Sequence, residues 1–554
     1  MRRALVSTGL ALALAAPLLA AAPPPPPRRM AAGEQLSDGN RPERLEWFRN
    51  LGFGMFVHWS LDSQIGSVIS HSTVGADAAY LKRFFEDLPK TFDPHKYHPR
   101  DWAVLAKLAG MRYVVFTAKH HSGFCMYDSK TTKFGILQTP YGKDVLAELV
   151  KALRAEGIAV GLYFSPDDFH WLYTHGKLID RNPRPGVNPQ EDPEFMAFTK
   201  AQLREMLTQY GPIDVLFIDG RADGLRELAW EIRPDTVVTR GAIATPEQKL
   251  LAVPLDKPWE SCVTMGTAWQ YKPTQESYKS ITQLVEMLIE TRAKGGNLLL
   301  NVGPKPDGEL PIEQEERLRG LALWHFIFGE SVDGVRPWVV ANEGDLWFTK
   351  KKDEDTVYVF VTKQPNWSMD ETKTFTLRSV KATDATKVSI PGQTGEVIEY
   401  RPDRDPRPSW KQDEKGLHVT VTLAQRYYDN RRWAEPVAIK LTNVKPALVP
   451  PKVEIVGAAR DAAPGTATLR ARLDDLGMAP SVETGFQYRR KKRGEELYEA
   501  DEPWKDTPLA ARTATGAFEA SVTGLLETES YEYRAVVKHP LLTVMTEEKV
   551  IAPR

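Results

Sequence analysis

Residues 210–220 read Tyr210-Gly-Pro-Ile-Asp-Val-Leu-Phe-Ile-Asp219-Gly220. An apolar run this short, bounded by Gly-Pro on one side and Asp-Gly on the other, is a strand with an acid at its mouth. Six similar runs surround it: Phe53–His58, Tyr113–Lys119, Ala159–Ser165, Thr236–Arg240, Trp259–Thr264 and Asn297–Val302. Helical periodicity fills the gaps, at Asp101–Leu108, Asp144–Glu156, Glu194–Gln209, Leu225–Ile232, Ser277–Ala293 and Glu313–Phe328. Strands alternating with helices are βαβ units. Seven strands without a clear eighth predict an α/β fold, a TIM-like (β/α) barrel with one irregular segment, over residues 45–336. The alternative is a doubly wound open sheet, but no G-x-G-x-x-G fingerprint follows an early strand.

Beyond residue 337 helical periodicity gives way to alternation, as in Val357–Val361 and Leu417–Leu423. This predicts a β-sandwich over 337–447. Pro450 and Pro451 mark a further boundary, and Ala467–Leu473, Thr484–Tyr488, Phe518–Val522 and Tyr531–Val537 alternate like a fibronectin type III module over 448–554. Trp347, Trp410 and Trp504 in this half read as core tryptophans in preference to binding platforms.

A β/α barrel builds its site at the C-terminal ends of its strands. The residues there are His58, Lys119, His120, His121, Tyr163, Ser165, Asp219, Arg240, Glu260 and Asn301. Imidazoles, carboxylates and aromatic rings on one rim form a polar pocket with stacking surfaces, suited to a sugar. Asp219 is a candidate glycosyl nucleophile, with a helix cap or an arginine partner as the plainer reading. Asp214, at the start of the same strand, belongs to the stability face. Glu260, beside Trp259, is the candidate acid/base, because packing against an indole would keep its carboxyl protonated; a salt bridge at the core edge is the competing reading.

The strings Phe53-Gly-Met-Phe-Val-His-Trp59, Tyr113-Val-Val-Phe-Thr-Ala-Lys-His-His-Ser-Gly-Phe-Cys125, Gly161-Leu-Tyr-Phe-Ser165, Tyr210 to Gly220, Trp259-Glu-Ser-Cys262 and Lys294-Gly-Gly-Asn-Leu-Leu-Leu-Asn-Val-Gly-Pro-Lys-Pro-Asp-Gly308 stand in one order over residues 45–335. Together they resemble the α-L-fucosidases of glycoside hydrolase family twenty-nine. The resemblance implies a retaining exo-glycosidase with no cofactor, Asp219 as nucleophile, and His58, His120, His121 and Tyr163 as partners of sugar hydroxyls. Glu260 is matched as acid/base through Trp-Glu. Arg240, Phe217, Trp269 and His71 complete the expected substrate contacts, with Phe217 as an apolar wall near the C5 substituent. The family's Glu-Trp-Tyr element after the His-Trp strand is replaced by Ser67-Val-Ile-Ser-His-Ser-Thr-Val-Gly75. His71 is the candidate for its role, and the sugar stays open between L-fucose, L-galactose and a substituted fucose.

Two rival readings accompany this one. A metal-dependent hydrolase would use His120 and His121, but neighbours on a regular strand point to opposite faces and cannot share an ion. A glycan-binding protein on the same barrel would keep the aromatic rings and lack the acid/base.

The bulk composition agrees with a sugar ligand. Hydrophobic residues make up 42%, charged residues 26%, and the net charge is -1, so neither disorder nor nucleic-acid binding is indicated. The expected partner is a fucosylated oligosaccharide or polysaccharide; oligomeric state is not legible. Arg2 and Arg3, the apolar stretch Ala4–Ala20 and small residues through Ala22 form the pattern of a signal peptide, residues 1–22. A Pro-rich linker, 23–44, follows. Export to the periplasm or beyond is therefore expected, with no membrane span. Cys125 and Cys262, the two cysteines, read as buried free thiols in preference to a bridge.

Overall fold

The computed structural model describes residues 39–181, 184–251, 254–255, 257–363, 366–491 and 502–554. The expected signal peptide and most of the linker lie outside the described residues; the linker's last residues, Pro42–Arg44, open the first helix, Pro42–Leu51.

Seven strands form one sheet: β1 (Phe53–Val57), β2 (Tyr113–Lys119), β3 (Ala159–Phe164), β4 (Val215–Ile218), β5 (Val237–Val238), β6 (Glu260–Thr264) and β7 (Asn297–Val302). Their order is β5-β4-β3-β2-β1-β7-β6, and every neighbouring pair is parallel. Almost every strand residue is buried, as a parallel sheet covered by helices requires. The curled sheet is a barrel with one seam, between β5 and β6. On the β6 side, residues 244–248 run parallel to that strand: Glu260 N–H donates to Ala244 O, Cys262 N–H to Pro246 O and Gln248 N–H to Cys262 O. This is the irregular segment expected in place of an eighth strand. Proline 246 has no N–H to give, so the pairing stays partial. The edge of β5 is covered differently. The Asn40 amide accepts from Val238 N–H at 2.8 Å and donates to Val238 O at 2.9 Å, a side chain standing in for a strand neighbour.

The helices follow their sequence signals. Asp144 caps Val145–Ala155 by accepting from Ala147 N–H, Asp192 caps Pro193–Gln209, and Ser280 with Gln283 forms a capping box on Ile281–Ala293.

The antiparallel half starts at Val335, two residues before the expected boundary. A five-stranded sheet and a three-stranded sheet occupy residues 335–442. Their core is continuous with the barrel's: on helix Ile312–Phe328, Trp324 stacks on Phe360 and donates its indole N–H to Pro436 O. The last module has its own core, built on Leu469, Leu473, Phe486, Phe518, Tyr533 and Val537. Its sheets order strands 452–460, 467–475 and 516–522 in one and center on 482–490 and 531–538 in the other. Trp504 there packs against the guanidinium groups of Arg489 and Arg534, at 4.4 and 4.2 Å from its ring. Among the described residues no helix is long and apolar enough to cross a membrane. Cys125 and Cys262 are buried and unbridged.

Candidate active site

A cavity of about 510 Å³ opens at the C-terminal ends of the strands. Nine of the expected site residues line it: His58, His71, His120, His121, Tyr163, Phe217, Asp219, Arg240 and Trp269. Each histidine of the strand ends is fixed through Nδ1. His58 Nδ1 lies 2.6 Å from Asn301 Oδ1, and Asn301 Nδ2 donates to Trp269 O. The Asn301 oxygen is thus the acceptor, His58 Nδ1 carries the proton, and Nε2 is left as an acceptor. His120 Nδ1 meets Ser70 Oγ at 2.8 Å, and that oxygen also accepts from Ser122 N–H. His120 Nδ1 is the one acceptor for the serine proton among the described residues, and with the proton given there Nε2 becomes a donor. His121 Nδ1 meets Ser165 Oγ at 2.6 Å and Nε2 lies 3.4 Å from Asp219 Oδ2. Burial pushes all three rings down, His58 to about 4 and the other two well below the ordinary value, so at neutral pH they meet a ligand as uncharged hydrogen-bonding groups.

Asp219 follows the last residue of β4 and carries the densest set of contacts. Arg240 Nη1 lies 3.0 Å from Oδ1, Arg181 Nη2 3.9 Å from the same oxygen, and Tyr163 donates its hydroxyl to Oδ2 at 2.7 Å. Burial alone would raise this carboxyl. Arg181, Arg240 and the Tyr163 hydroxyl overcome that and hold it well below the usual carboxylate range. It is ionised at any working pH. Aromatic rings line the cavity beside it: Phe217 stacks on Tyr163 at 5.7 Å, packs on Phe56 at 5.0 Å and lies under the Arg240 guanidinium at 4.9 Å, while Trp269 packs on His58 at 4.8 Å.

Glu260 is not in this cavity. It is the first residue of β6, hence at the opposite end of the barrel from the site, and fully buried. Its Oε2 accepts from the Tyr113 hydroxyl at 2.5 Å, and Oε1 has no hydrogen-bond partner among the described residues. Cys262, two residues on and so on the same face, is the one that reaches the cavity floor. The carboxyl is pushed up to about 7, as expected, but by burial inside the barrel and not by Trp259. Adjacent strand residues face opposite ways: Trp259 packs on Gly296 and bonds Lys294 O.

The carboxylate the sequence reading missed is Glu247, on the irregular segment beside β6. Its Oε2 lies 2.8 Å from Arg240 Nη2, so one guanidinium bridges Glu247 and Asp219. Among the described residues these two are the carboxylates that line the cavity. The available signal was positional, since Thr245-Pro-Glu247 falls in the loop after a strand ending in Arg240. Arg181 had none, standing in an irregular stretch between two helices.

The replacement of the Glu-Trp-Tyr element is a docked loop. Ser70, at φ 61°, gives its N–H to the buried Asp62 and its hydroxyl to His120. Val68, Ile69 and His71 then form the mouth of the cavity. The argument from strand alternation does not separate His120 and His121. The ladder shifts register between Thr117 and Lys119 and ends there, both rings face the cavity, and with Asp219 they bring donor atoms within 4.8 Å of one another. The charges around them disfavour a cation, however: two guanidinium groups already hold Asp219.

Comparison with known proteins gives the same picture of the barrel. The alpha-L-fucosidase family model matches residues 32–330. The tissue alpha-L-fucosidase of Rattus norvegicus is 30% identical over 421 residues, covering 68% of this chain and 85% of that protein. The alpha-L-fucosidase of Dictyostelium discoideum is 27% identical, covering 58% and 78%. Among solved structures, alpha-L-fucosidase isoenzyme 1 from Paenibacillus thiaminolyticus superposes with a TM-score of 0.58 at 26% identity, over 72% of this chain and 98% of that one. Thermotoga maritima alpha-fucosidase in complex with fucose gives 0.56 at 25%, over 72% and 96%. With the matched region spanning the barrel and every strand end that builds the cavity, the chain belongs to the alpha-L-fucosidase family of glycosidases.

Proposed function

We propose that the chain is a retaining exo-α-L-fucosidase in which Asp219 is the nucleophile and Glu247 the acid/base. The observation that carries this reading is the pair of cavity carboxylates bridged by Arg240. One guanidinium between them keeps both within reach of a single glycosidic bond, the arrangement a double displacement needs, where retaining pairs stand about 5–5.5 Å apart. Asp219, ionised and held by donors on both oxygens, attacks the anomeric carbon as the bond to the leaving oxygen breaks. Glu247, less enclosed than Asp219, delivers the proton to that oxygen. In the second step it takes a proton from water, which attacks the same carbon and releases the sugar with net retention.

The neutral edges of His58 and His120 supply one acceptor and one donor to ring hydroxyls, and Phe56, Phe217 and Trp269 offer an apolar wall to a C5 methyl group. This favours L-fucose over L-galactose, whose C5 substituent carries an extra hydroxyl. Release of 4-nitrophenol from the α-L-fucoside and α-L-galactoside by wild type, Asp219→Ala and Glu247→Ala tests the assignment. Asp219→Ala is expected to be inactive. Glu247→Ala should lose far more activity on a natural glycan than on the activated aryl fucoside, because a good leaving group needs no proton. Equal losses on both substrates would remove Glu247 from the acid role, and a fully active Asp219→Ala would remove the mechanism. We also infer export, from the charged, apolar and small-residue order of residues 1–22; N-terminal sequencing of the mature protein tests it, and an intact Met1 on protein retained in the cytoplasm would refute it.

A further inference from the structure

The cavity holds a second guanidinium that the proposed mechanism has not used. Arg181 comes from the irregular stretch that follows helix Phe169–Thr174, and Arg240 from just past the end of β5. Its Nε lies 3.0 Å from Asp167 Oδ2, and its Nη2 reaches within 3.9 Å of Asp219 Oδ1. Asp167 is almost wholly buried, at 1% exposure, and also lies 3.7 Å from His121 Nδ1. His121 in turn faces Asp219 through Nε2 at 3.4 Å. One buried carboxylate thus anchors Arg181 and lies beside His121, two groups whose other ends converge on the nucleophile. Arg181 is anchored at Nε only; its two terminal nitrogens make no hydrogen bond to a described residue. Holding a sugar or shaping the loop would not require that it be aimed at Oδ1.

We propose that Arg181, oriented by Asp167, is a positioning residue for the second half of the reaction, stabilising the Asp219 carboxylate as it leaves the glycosyl-enzyme. This rests on Asp219 being the nucleophile. In that step water attacks the anomeric carbon, its proton passes to Glu247, the bond between the anomeric carbon and the Asp219 oxygen breaks, and the electron pair returns to the carboxylate. A cation fixed beside that oxygen favours the charged product over the neutral ester. During attack the same cation opposes reaction, since it stabilises the starting carboxylate. Besides Arg181, the charged and titratable groups around Asp219 include Arg240, Tyr163, His58, His120, His121, His71, Asp167, Glu247 and Cys262. Of these Arg240 is shared with Glu247, whereas Arg181 is tied to Asp167, a carboxylate outside the cavity lining.

The test is pre-steady-state release of 4-nitrophenol from the α-L-fucoside by wild type, Arg181→Gln, Arg181→Lys and Asp167→Asn. For Arg181→Gln we expect a burst of about one 4-nitrophenol per enzyme, kcat lowered at least about tenfold, and KM lowered by at least as much, so that kcat/KM holds or rises. Lysine should restore most of kcat, and Asp167→Asn should shift the balance in the same direction by less. Loss of kcat/KM with no burst would overturn the proposal by placing Arg181 before or at the first chemical step, and unchanged kinetics in Arg181→Gln would overturn it as well. Asp219→Gly with added azide checks the underlying reading separately. Formation of β-fucosyl azide supports Asp219 as nucleophile whatever Arg181 does, and its failure alongside normal folding would sink that reading first.

Discussion

Replacing Glu260 by glutamine should leave activity in place and change how stability depends on pH. The carboxyl is fully buried, and burial pushes it from 4.5 up to about 7, with the Tyr113 hydrogen bond pulling the other way. Each unit of such a difference corresponds to about 1.4 kcal/mol, so ionising Glu260 in the folded barrel costs about 3 kcal/mol relative to the unfolded chain. The folded protein binds more protons than the unfolded one between the two values. The stabilisation is therefore complete below about pH 4.5 and is lost as pH rises toward about 7, above which nothing more is lost. Glutamine has the same shape, accepts from Tyr113 through its oxygen, and does not titrate. Urea unfolding of wild type and Glu260→Gln, followed through the barrel's tryptophan fluorescence from about pH 5 to about pH 8, should show the variant gaining about 2–3 kcal/mol on wild type across that window. Parallel curves would refute the reasoning. The same samples assayed on an aryl and a natural fucoside separate the two glutamates, since Glu260 lies off the cavity lining; selective loss on the natural glycan in Glu260→Gln would return it to the acid/base role.

Two further expectations concern how the site is held. Ser70→Ala removes the proton given to His120 Nδ1 and the acceptor of Ser122 N–H; KM for the aryl fucoside should rise about tenfold, in line with about 1–1.5 kcal/mol for one hydrogen bond, and an unchanged KM would mean that His120 needs no fixed tautomer. Asn40→Ala strips the edge of β5 of its two amide bonds; unfolding free energy should fall by about 1–3 kcal/mol with kcat nearly unchanged, and no loss would show that water replaces the amide at that edge.

Much of the barrel was legible because its strands are short apolar runs whose ends are marked by polar residues. Tyr113–Lys119 and Asn297–Val302 stand in the structure with the bounds read from sequence. The strand-end rule also found six cavity residues, His58, His120, His121, Tyr163, Asp219 and Arg240, for a physical reason: in a parallel barrel every strand delivers its last residues to the same rim. The rule does not reach Glu260, which stands at the start and not the end of the run Trp259–Thr264. Glu260 begins β6, and the next inward-facing residue, Cys262, already reaches the floor of the site.

Glu247 and Arg181 were beyond that rule, since neither ends a regular strand. Glu247 rides a segment joined to β6 by a few backbone bonds, and Arg181 lies on a loop whose path is set by a buried partner, Asp167. The sequence by itself determined the alternation of strands and helices, the antiparallel half and the strand-end chemistry around Asp219, because each of these is encoded in local periodicity and in residues adjacent along the chain. Only the tertiary structure decided which second carboxylate shares an arginine with Asp219 and which further cation faces it. Those pairings are set by how loops from neighbouring strands meet, a packing that no local pattern records.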